Sequence, residues 1–130
     1  MSAPKSDTVP GSQRRRLGQQ GEAIAARHLQ RCGYVILARN WRCPAGEIDI
    51  VARDGPTTVF VEVRARRSRR FGTPEESITA SKQARLVAAA QTYLQEAGNP
   101  ETAWRIDVVA IEMGARGQVE RLNLIQGAVG

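Results

Sequence analysis

The fold is decided by residues 46–66, which read GEIDIVARDGPTTVFVEVRAR. Two runs of β-forming residues, about Glu47 to Arg53 and Thr57 to Ala65, flank a turn at Asp54-Gly55-Pro56. Gly and Pro between two apolar, alternating runs are typical of a tight connection. The stretch therefore predicts a β-hairpin.

Alternation along this hairpin places two acids together. Side chains point to opposite faces along a strand, so one face of the first arm carries Ile48, Ile50 and Ala52. Asp49 lies on the other face with Glu62 and Arg64 of the second arm. If the hairpin is symmetrical about its turn, Asp49 lies opposite Glu62, with Cβ atoms about 4.5–5.5 Å apart, where like charges destabilise a sheet.

Two readings of this acid pair remain open. A divalent cation would remove the repulsion, because hard cations such as Mg²⁺ bind one or two carboxylates together with water and phosphate oxygens. Alternatively, Arg64 and the neighbouring arginines neutralise both acids in an ion-pair network. The first reading makes the hairpin a metal site, and the second makes it a structural cluster.

The rest of the chain contributes two helices and three strands. Periodicity predicts helices over Leu17 to Gly33 and Pro74 to Ala97. Strands are predicted over Tyr34 to Arg42, Trp104 to Glu112 and Val119 to Ile125. The order α-β-β-β-α-β-β predicts a mixed β-sheet flanked by helices, α/β or α+β in class.

The chain of 130 residues is the size of one domain. Residues 1–16 are rich in Ser, Pro and Gly and end in a basic cluster, which predicts a disordered basic arm before a single domain at 17–130. No apolar run approaches the roughly 20 residues of a membrane span, and the N-terminus lacks the apolar stretch of a secretory signal. We therefore expect a cytoplasmic protein without a membrane partner.

The charge distribution favours an acidic partner. The net charge is +6 and the isoelectric point is near 10.3. The excess lies in two clusters, formed by Arg66, Arg67, Arg69 and Arg70 after the hairpin and by Arg14, Arg15 and Arg16 in the arm. Phosphate backbones are the obvious polyanion, because their neutralisation releases counterions. Both clusters are predicted to contact nucleic acid; the alternative is that they are solvated loops.

Several ordered motifs resemble the YraN-like family of bacterial proteins. They are Gly46-Glu47-Ile48-Asp49-Ile50-Val51, Val59-Phe60-Val61-Glu62-Val63-Arg64-Ala65-Arg66, Gly21-Glu22, Arg39-Asn40-Trp41-Arg42, Phe71-Gly72, Ser81-Lys82-Gln83 and Trp104-Arg105-Ile106-Asp107-Val108-Val109. The resemblance extends from Gly18 to about Ala128. That family is similar to the PD-(D/E)XK nucleases with a restriction-endonuclease-like core, especially Holliday-junction resolvases.

The resemblance implies a site. Asp49 and Glu62 match the two acidic metal ligands, with the Val63 carbonyl as a third, and Glu22 matches the acid on the first helix. Arg64 stands where the superfamily has a lysine that orients or deprotonates the attacking water. Mg²⁺ or Mn²⁺ is the implied cofactor, DNA the implied substrate, and a homodimer follows by analogy with junction-cutting relatives.

Arg64 leaves open whether the site is catalytic, because arginine stays protonated and is a poor base. Only two of the 19 Lys and Arg residues are lysines, and one of them, Lys82, lies early in the second helix. Lys82 is predicted to replace the missing lysine, although a chance surface lysine remains the alternative. The sequence thus predicts a metal-dependent endonuclease acting on DNA, with structured or branched DNA as a candidate substrate. The alternative is a non-catalytic nucleic-acid-binding protein that retains the nuclease fold.

Overall fold

The computed structural model describes residues 4–67 and 72–129, and the side chains of residues 4–15 lie outside the described part. Its elements are α1 (Pro4–Arg31), β1 (Val35–Cys43), β2 (Gly46–Asp54), β3 (Thr57–Arg66), a short 3₁₀ turn (Glu75–Ser77), α2 (Ala80–Glu96), β4 (Trp104–Met113) and β5 (Val119–Val129). The predicted order of elements is therefore confirmed.

The five strands form one mixed sheet in the order β1-β2-β3-β4-β5. The pairs β1–β2, β2–β3 and β4–β5 are antiparallel, whereas β3 and β4 run parallel. The parallel pair needs a crossover, and α2 lies in that crossover. The fold is thus a mixed α+β arrangement, as predicted.

The two helices cover opposite faces of the sheet. The apolar side of α1 packs in one cluster with Tyr34 and buried residues of β2, β3 and β4: Ala25, Ala26, Leu29, Ile50, Ala52, Val59, Val61, Val109, Ile111 and Met113. The apolar side of α2 packs in the other: Leu86, Ala89, Ala90 and Leu94 with Ile48, Val51, Phe60 and Ile106. A residue on either helix can therefore reach the sheet from one side only.

The predicted register of the hairpin is correct. Ile50 pairs with Val61 and Asp54 with Thr57, which is the symmetrical arrangement about Gly55-Pro56. The predicted face of Ile48 is wrong, because Ile48 packs in the α2 cluster while Ile50 packs in the α1 cluster. Strict alternation fails at Asp49, the residue between them, which lies beyond the last pair of the β2–β3 ladder.

The second helix is shorter than predicted. Residues 74–97 divide into the 3₁₀ turn Glu75–Ser77 and α2, with Ile78 extended between them. Thr79 caps α2, since its side chain accepts a hydrogen bond from the backbone N–H of Lys82 at 3.2 Å. A Thr at this position starts a new helix rather than continuing an old one.

The first helix begins earlier than predicted. The prediction placed its start at Leu17, after a disordered arm, whereas the helical backbone of α1 begins at Pro4. Pro10 and Gly11 are poor helix formers and argued for the late start. Residues 12–16 are Ser, Gln and Arg, and they contain no signal that would end a helix. The division into an arm and a domain at residue 17 stays a prediction.

A buried polar network ties Tyr34, just before β1, and the ends of β2 and β5 to β4. Asp107 is 0% exposed and accepts hydrogen bonds from the Tyr34 hydroxyl at 2.9 Å, from Nε of Arg105 at 2.9 Å and from the Gly127 backbone at 3.0 Å. Nη2 of Arg105 also donates to Asp54 at 2.8 Å. This network lies at the turn end of the hairpin, so it holds the strands together away from the acid pair.

Of the helices in the described residues, none is both long and apolar enough to cross a membrane.

Candidate functional site

A cleft of about 320 Å³ opens at the end of the hairpin away from its turn. Its lining comes from β2, β3 and both helices: Glu22, Gly46, Glu47, Asp49, Glu62, Val63, Arg64, Lys82, Arg85 and Leu86. All five residues predicted from the sequence to be catalytic line it, together with Val63. The cleft therefore brings together residues that are 60 positions apart in the chain, from Glu22 to Lys82.

Asp49 occupies the point where β2 and β3 stop pairing. Its Oδ2 accepts a hydrogen bond from the backbone N–H of Val63 at 2.8 Å. Burial, and then the charge of Glu62 beside it, raise the pKa of Asp49 to about 8. The Val63 hydrogen bond opposes this rise, because it favours the ionised carboxylate. The pair therefore favours either one retained proton or a cation beside the two carboxylates.

Glu22 approaches the pair from the α1 face of the sheet. Gly21 allows this approach, since a Cβ added there would lie 3.0 Å from Cβ of Ala65 on β3. Burial and the charge of Asp49 raise the pKa of Glu22, and a hydrogen bond from the Asn40 side chain partly offsets the rise. The charge of Glu47 also raises the pKa of both Glu22 and Asp49, so four carboxylates share one electrostatic environment.

The geometry does not give a closed protein chelate. Among the described residues, no three His, Cys, Asp or Glu side chains are placed to hold one metal ion directly. Asp49 and Glu62 alone fit the preference of Mg²⁺ for one or two carboxylates supplemented by water and phosphate oxygens. Glu22 fits the role of holding a water in such a site. The donor set is therefore compatible with an open cation site, in which several positions remain for water or substrate.

Arg64 follows Glu62 by two residues on β3 and contacts it. Nη1 of Arg64 lies 3.3 Å from Oε2 of Glu62, and Nε donates to Oγ of Ser77 at 2.7 Å. Part of the ion-pair alternative is thus present, because Arg64 pairs with Glu62. Within the described residues Arg64 makes no hydrogen bond or ion pair with Asp49, so the network that would neutralise both acids is incomplete there.

Lys82 lies in the first turn of α2, on the opposite side of the cleft from Glu22. Burial lowers its pKa, and the nearby charge of Arg64 lowers it further, while Glu62 acts in the opposite direction. Its ammonium group has no hydrogen-bond or ion-pair partner in the described part of the chain. Lys82 is therefore a cation held close to Glu62 and available to a ligand.

Sequence reasoning missed three residues of this site. Arg85 lines the cleft one helical turn after Lys82, and the three-residue spacing could have indicated it. Asn40 has a φ of 54°, a left-handed conformation that Asn tolerates better than most residues. Ser77 contacts Arg64 across 13 positions of sequence, and no local pattern signals that contact.

The predicted nucleic-acid contacts are only partly within the described structure. Arg66 lies near the cleft, since its charge lowers the pKa of Lys82. Arg67 and Arg16 are exposed. The side chains of Arg14, Arg15, Arg69 and Arg70 lie outside the described residues. Contact of these clusters with nucleic acid stays a prediction.

Comparison with known proteins identifies relatives along nearly the whole chain. The profile of the uncharacterised protein family UPF0102 matches residues 21–111. The chain belongs to the UPF0102 family. A UPF0102 protein of Roseiflexus castenholzii is 56% identical over 117 residues, covering 89% of this chain and 94% of its own length. One from Symbiobacterium thermophilum is 50% identical over 114 residues, covering 88% and 96%.

The UPF0102 match confirms the predicted YraN-like family membership. It begins at Gly21 and ends at Ile111, so it includes every residue that lines the cleft. A further relative, from Caldicellulosiruptor saccharolyticus, is 44% identical over 115 residues and is covered over 98% of its length. The cleft thus lies wholly inside the part of the chain that defines UPF0102 proteins.

Proposed function

We propose that this UPF0102 protein is a metal-dependent endonuclease that hydrolyses phosphodiester bonds in DNA, with a restriction-endonuclease-like core of the PD-(D/E)XK type. One observation carries the proposal: the Asp49 and Glu62 carboxylates share a cleft in which burial and mutual repulsion raise the pKa of Asp49. Such a pair favours a cation, and the cleft is open enough for a phosphate to reach it. Structured or branched DNA is the proposed substrate class.

Mg²⁺ or Mn²⁺ held by Asp49, Glu62 and the Val63 carbonyl would supply a Lewis acid and lower the pKa of water at neutral pH. Glu22 orients water from the α1 side. Arg64 binds a phosphate oxygen and stabilises developing negative charge, a role suited to its fixed positive charge. Lys82, with a lowered pKa, is the better proton acceptor of the two cations.

The basic residues outside the cleft complete the proposal. Arg66 ends β3 and Arg67 follows it, and in the proposal both hold the DNA backbone next to the reacting phosphate. Arg69 and Arg70, and the cluster Arg14, Arg15 and Arg16, extend the same role in the proposal. The homodimer and the cytoplasmic location stay predictions.

The direct test is cleavage of plasmid, single-stranded and four-way-junction DNA with Mg²⁺ or Mn²⁺ and with EDTA. We expect cleavage only with metal, and a loss of at least about 100-fold in Asp49→Ala and in Glu62→Ala, the order expected when charge stabilisation in an active site is removed. Glu96→Ala, an exposed acid on α2, is the matched control and should cleave as wild type. Unchanged cleavage in Asp49→Ala and Glu62→Ala would show that the proposed site is wrong.

A specific contact favours a second candidate, a nucleic-acid-binding protein without efficient catalysis. Arg64 stands where the proposed mechanism would prefer a lysine, and it is already paired with Glu62 at 3.3 Å. This candidate predicts salt-sensitive DNA binding that persists in EDTA, without cleavage above background. A Mn²⁺ titration separates the two: stabilisation of wild type but not of Asp49→Asn supports the metal site.

A further inference from the structure

The guanidinium of Arg64 is fixed in orientation by contacts at two of its three nitrogens, Nε and Nη1. Nε donates to Oγ of Ser77 at 2.7 Å, and Nη1 approaches Oε2 of Glu62 at 3.3 Å. Because a guanidinium is planar and its five N–H donors have a rigid arrangement, contacts at two of its nitrogens fix the plane. Within the described residues Nη2 makes no hydrogen bond. Its donors are therefore available at the wall of the cleft, which Arg64 lines.

The hydroxyl of Ser77 can only accept from Arg64. A serine hydroxyl has one proton, and Ser77 donates it to the backbone carbonyl of Pro74 at 2.6 Å. The oxygen lone pairs then point to Nε of Arg64. The contact between Ser77 and Pro74 fixes the direction of both hydrogen bonds. The turn therefore presents an acceptor to Arg64 whether or not a ligand is bound.

The turn is also anchored on its other side. Glu75, the first residue of the turn, accepts two hydrogen bonds from Arg121 of β5, at 2.8 and 2.9 Å. Arg121 also contacts Glu112 of β4, at 2.8 Å from Nε. A bidentate pair of this kind fixes both partners more firmly than a single contact does. These contacts with β4 and β5 therefore fix the position of the turn, and with it Ser77, over the sheet.

We infer that Ser77 is a positioning residue, which holds the Arg64 guanidinium so that its free donors bind a phosphate oxygen at the acid pair. The inference rests on the proposed function, in that it assigns Arg64 a phosphodiester ligand. Without Ser77, the guanidinium can rotate and use both terminal nitrogens on Glu62 and Asp49. Arg64 then occupies the carboxylates that the cation needs and no longer faces the substrate.

The test compares DNA affinity in EDTA, by fluorescence anisotropy at fixed salt, for the wild type and four variants of the full chain. We expect Arg64→Ala and Ser77→Ala each to weaken affinity by about tenfold, the factor for losing one hydrogen bond to a charged group. Ser77→Thr retains the hydroxyl and should bind as wild type. The double variant Arg64→Ala/Ser77→Ala should bind no more weakly than Arg64→Ala alone, because both changes remove the same interaction.

Melting temperatures of all variants show whether a loss of affinity comes from lost positioning of Arg64 or from a less stable fold. Four outcomes would each overturn the inference. Ser77→Thr could lose as much affinity as Ser77→Ala, the effects could add in the double variant, Ser77→Ala could bind as wild type, or the wild type could bind no DNA.

Cleavage by the same variants with Mn²⁺ separates this inference from the nuclease proposal. If the wild-type protein binds DNA without cleaving it, and the effects of Ser77 and Arg64 remain coupled, the nuclease proposal is contradicted and the inference stands. Full cleavage by Ser77→Ala contradicts the inference and keeps the nuclease.

Discussion

The backbone amide of Val63 donates to the carboxylate of Asp49 at 2.8 Å, where a continuing ladder would have paired it with the backbone of β2. A side chain thus takes the place of a strand at this point of the sheet. Beyond this point the β2–β3 pairing ends, and the Glu62 side chain lines the cleft while its backbone still pairs with Val108 of β4. The same hydrogen bond holds Asp49 beside Glu62. Burial and the charge of Glu62 raise the pKa of Asp49 there, even though the Val63 N–H favours the ionised carboxylate.

The first prediction concerns the pH dependence of Asp49→Asn without metal. The pKa of Asp49 is raised from 3.8 to about 8 in the folded protein, so the folded state binds more protons than the unfolded state between these values. The contribution of Asp49 to stability therefore decreases as the pH rises from about 4 to about 8. Asparagine has the same shape, keeps an acceptor for the Val63 N–H and carries no charge.

We therefore expect Asp49→Asn to be more stable than wild type at pH 9 in EDTA, with the gain shrinking toward pH 4. Urea unfolding at several pH values measures the difference. Glu101→Gln, which removes the charge of an exposed acid, is the control and should show no such trend. A gain in Asp49→Asn that does not change with pH would contradict the burial of this carboxyl beside Glu62.

The second prediction uses two glycines of α1. A Cβ added at Gly18 meets nothing within 4 Å, whereas one at Gly21 lies 3.0 Å from Cβ of Ala65. Gly18→Ala should stabilise the protein by about 0.5–1 kcal/mol through helix propensity alone. Gly21→Ala forces α1 away from β3, and overpacking of this kind typically costs about 1–3 kcal/mol. The free energies of unfolding of the two variants should therefore have opposite signs relative to wild type, and equal gains would show that α1 does not pack closely on β3.

The third prediction concerns the hydroxyl of Tyr34. It donates to Asp107 at 2.9 Å and accepts from Arg105 and Gln126 at 2.8 Å each. Tyr34→Phe leaves the buried Asp107 without one of its donors, which should cost about 1–3 kcal/mol of stability. Tyr93→Phe is the matched control, because its hydroxyl has no hydrogen-bond partner in the described structure. Thermal unfolding measures both variants. An equally small effect of the two changes would show that the Tyr34–Asp107 hydrogen bond contributes little to stability.

The fourth prediction concerns acid unfolding. Hydrogen bonds from Arg121 lower the pKa of Glu75 to about 2, against 4.5 for an ordinary glutamate. A carboxylate with a depressed pKa stabilises the fold at pH values above about 4.5, and this contribution disappears as the pH falls through about 2. Glu75→Gln should therefore be less stable than wild type at pH 7, with the difference vanishing near pH 2.

Circular dichroism during acid titration measures this difference. Glu101→Gln, at an exposed position between α2 and β4, should unfold along the wild-type curve. A Glu75→Gln curve that also coincides with wild type would mean that the Arg121 pair does not anchor the 3₁₀ turn.

The sequence predicted those features that depend on neighbouring residues. The register of Ile50 with Val61 follows from a turn and two alternating runs, and all of these lie within 21 positions. The place of Asp49 and Glu62 at one site follows from that register. The hydrophobic periodicity, and the Gly and Pro residues between the apolar runs, likewise predicted the order of the elements.

The features that it did not predict depend on contacts that the hydrophobic pattern does not show. Alternation fails at Asp49, whose side chain accepts from the Val63 backbone, and Ile48 and Ile50 pack on opposite faces of the sheet. The break before α2 depends on the Thr79 cap, which competes with an otherwise continuous helical pattern. Ser77 acquires its role only when the turn folds against β3, and no property of the segment 74–79 indicates this.

The walls of the cleft come from both faces of the sheet, with Glu22 on α1 and Lys82 and Arg85 on α2. Neither a hairpin formed alone nor a sheet covered by one helix contains the complete set. A ligand that needs all three charges consequently recognises only the finished tertiary structure, and its binding energy adds fully to the free energy of unfolding. Ligand-induced protection from proteolysis should therefore extend over the whole domain, so that occupancy of the cleft becomes a measure of whether folding is complete.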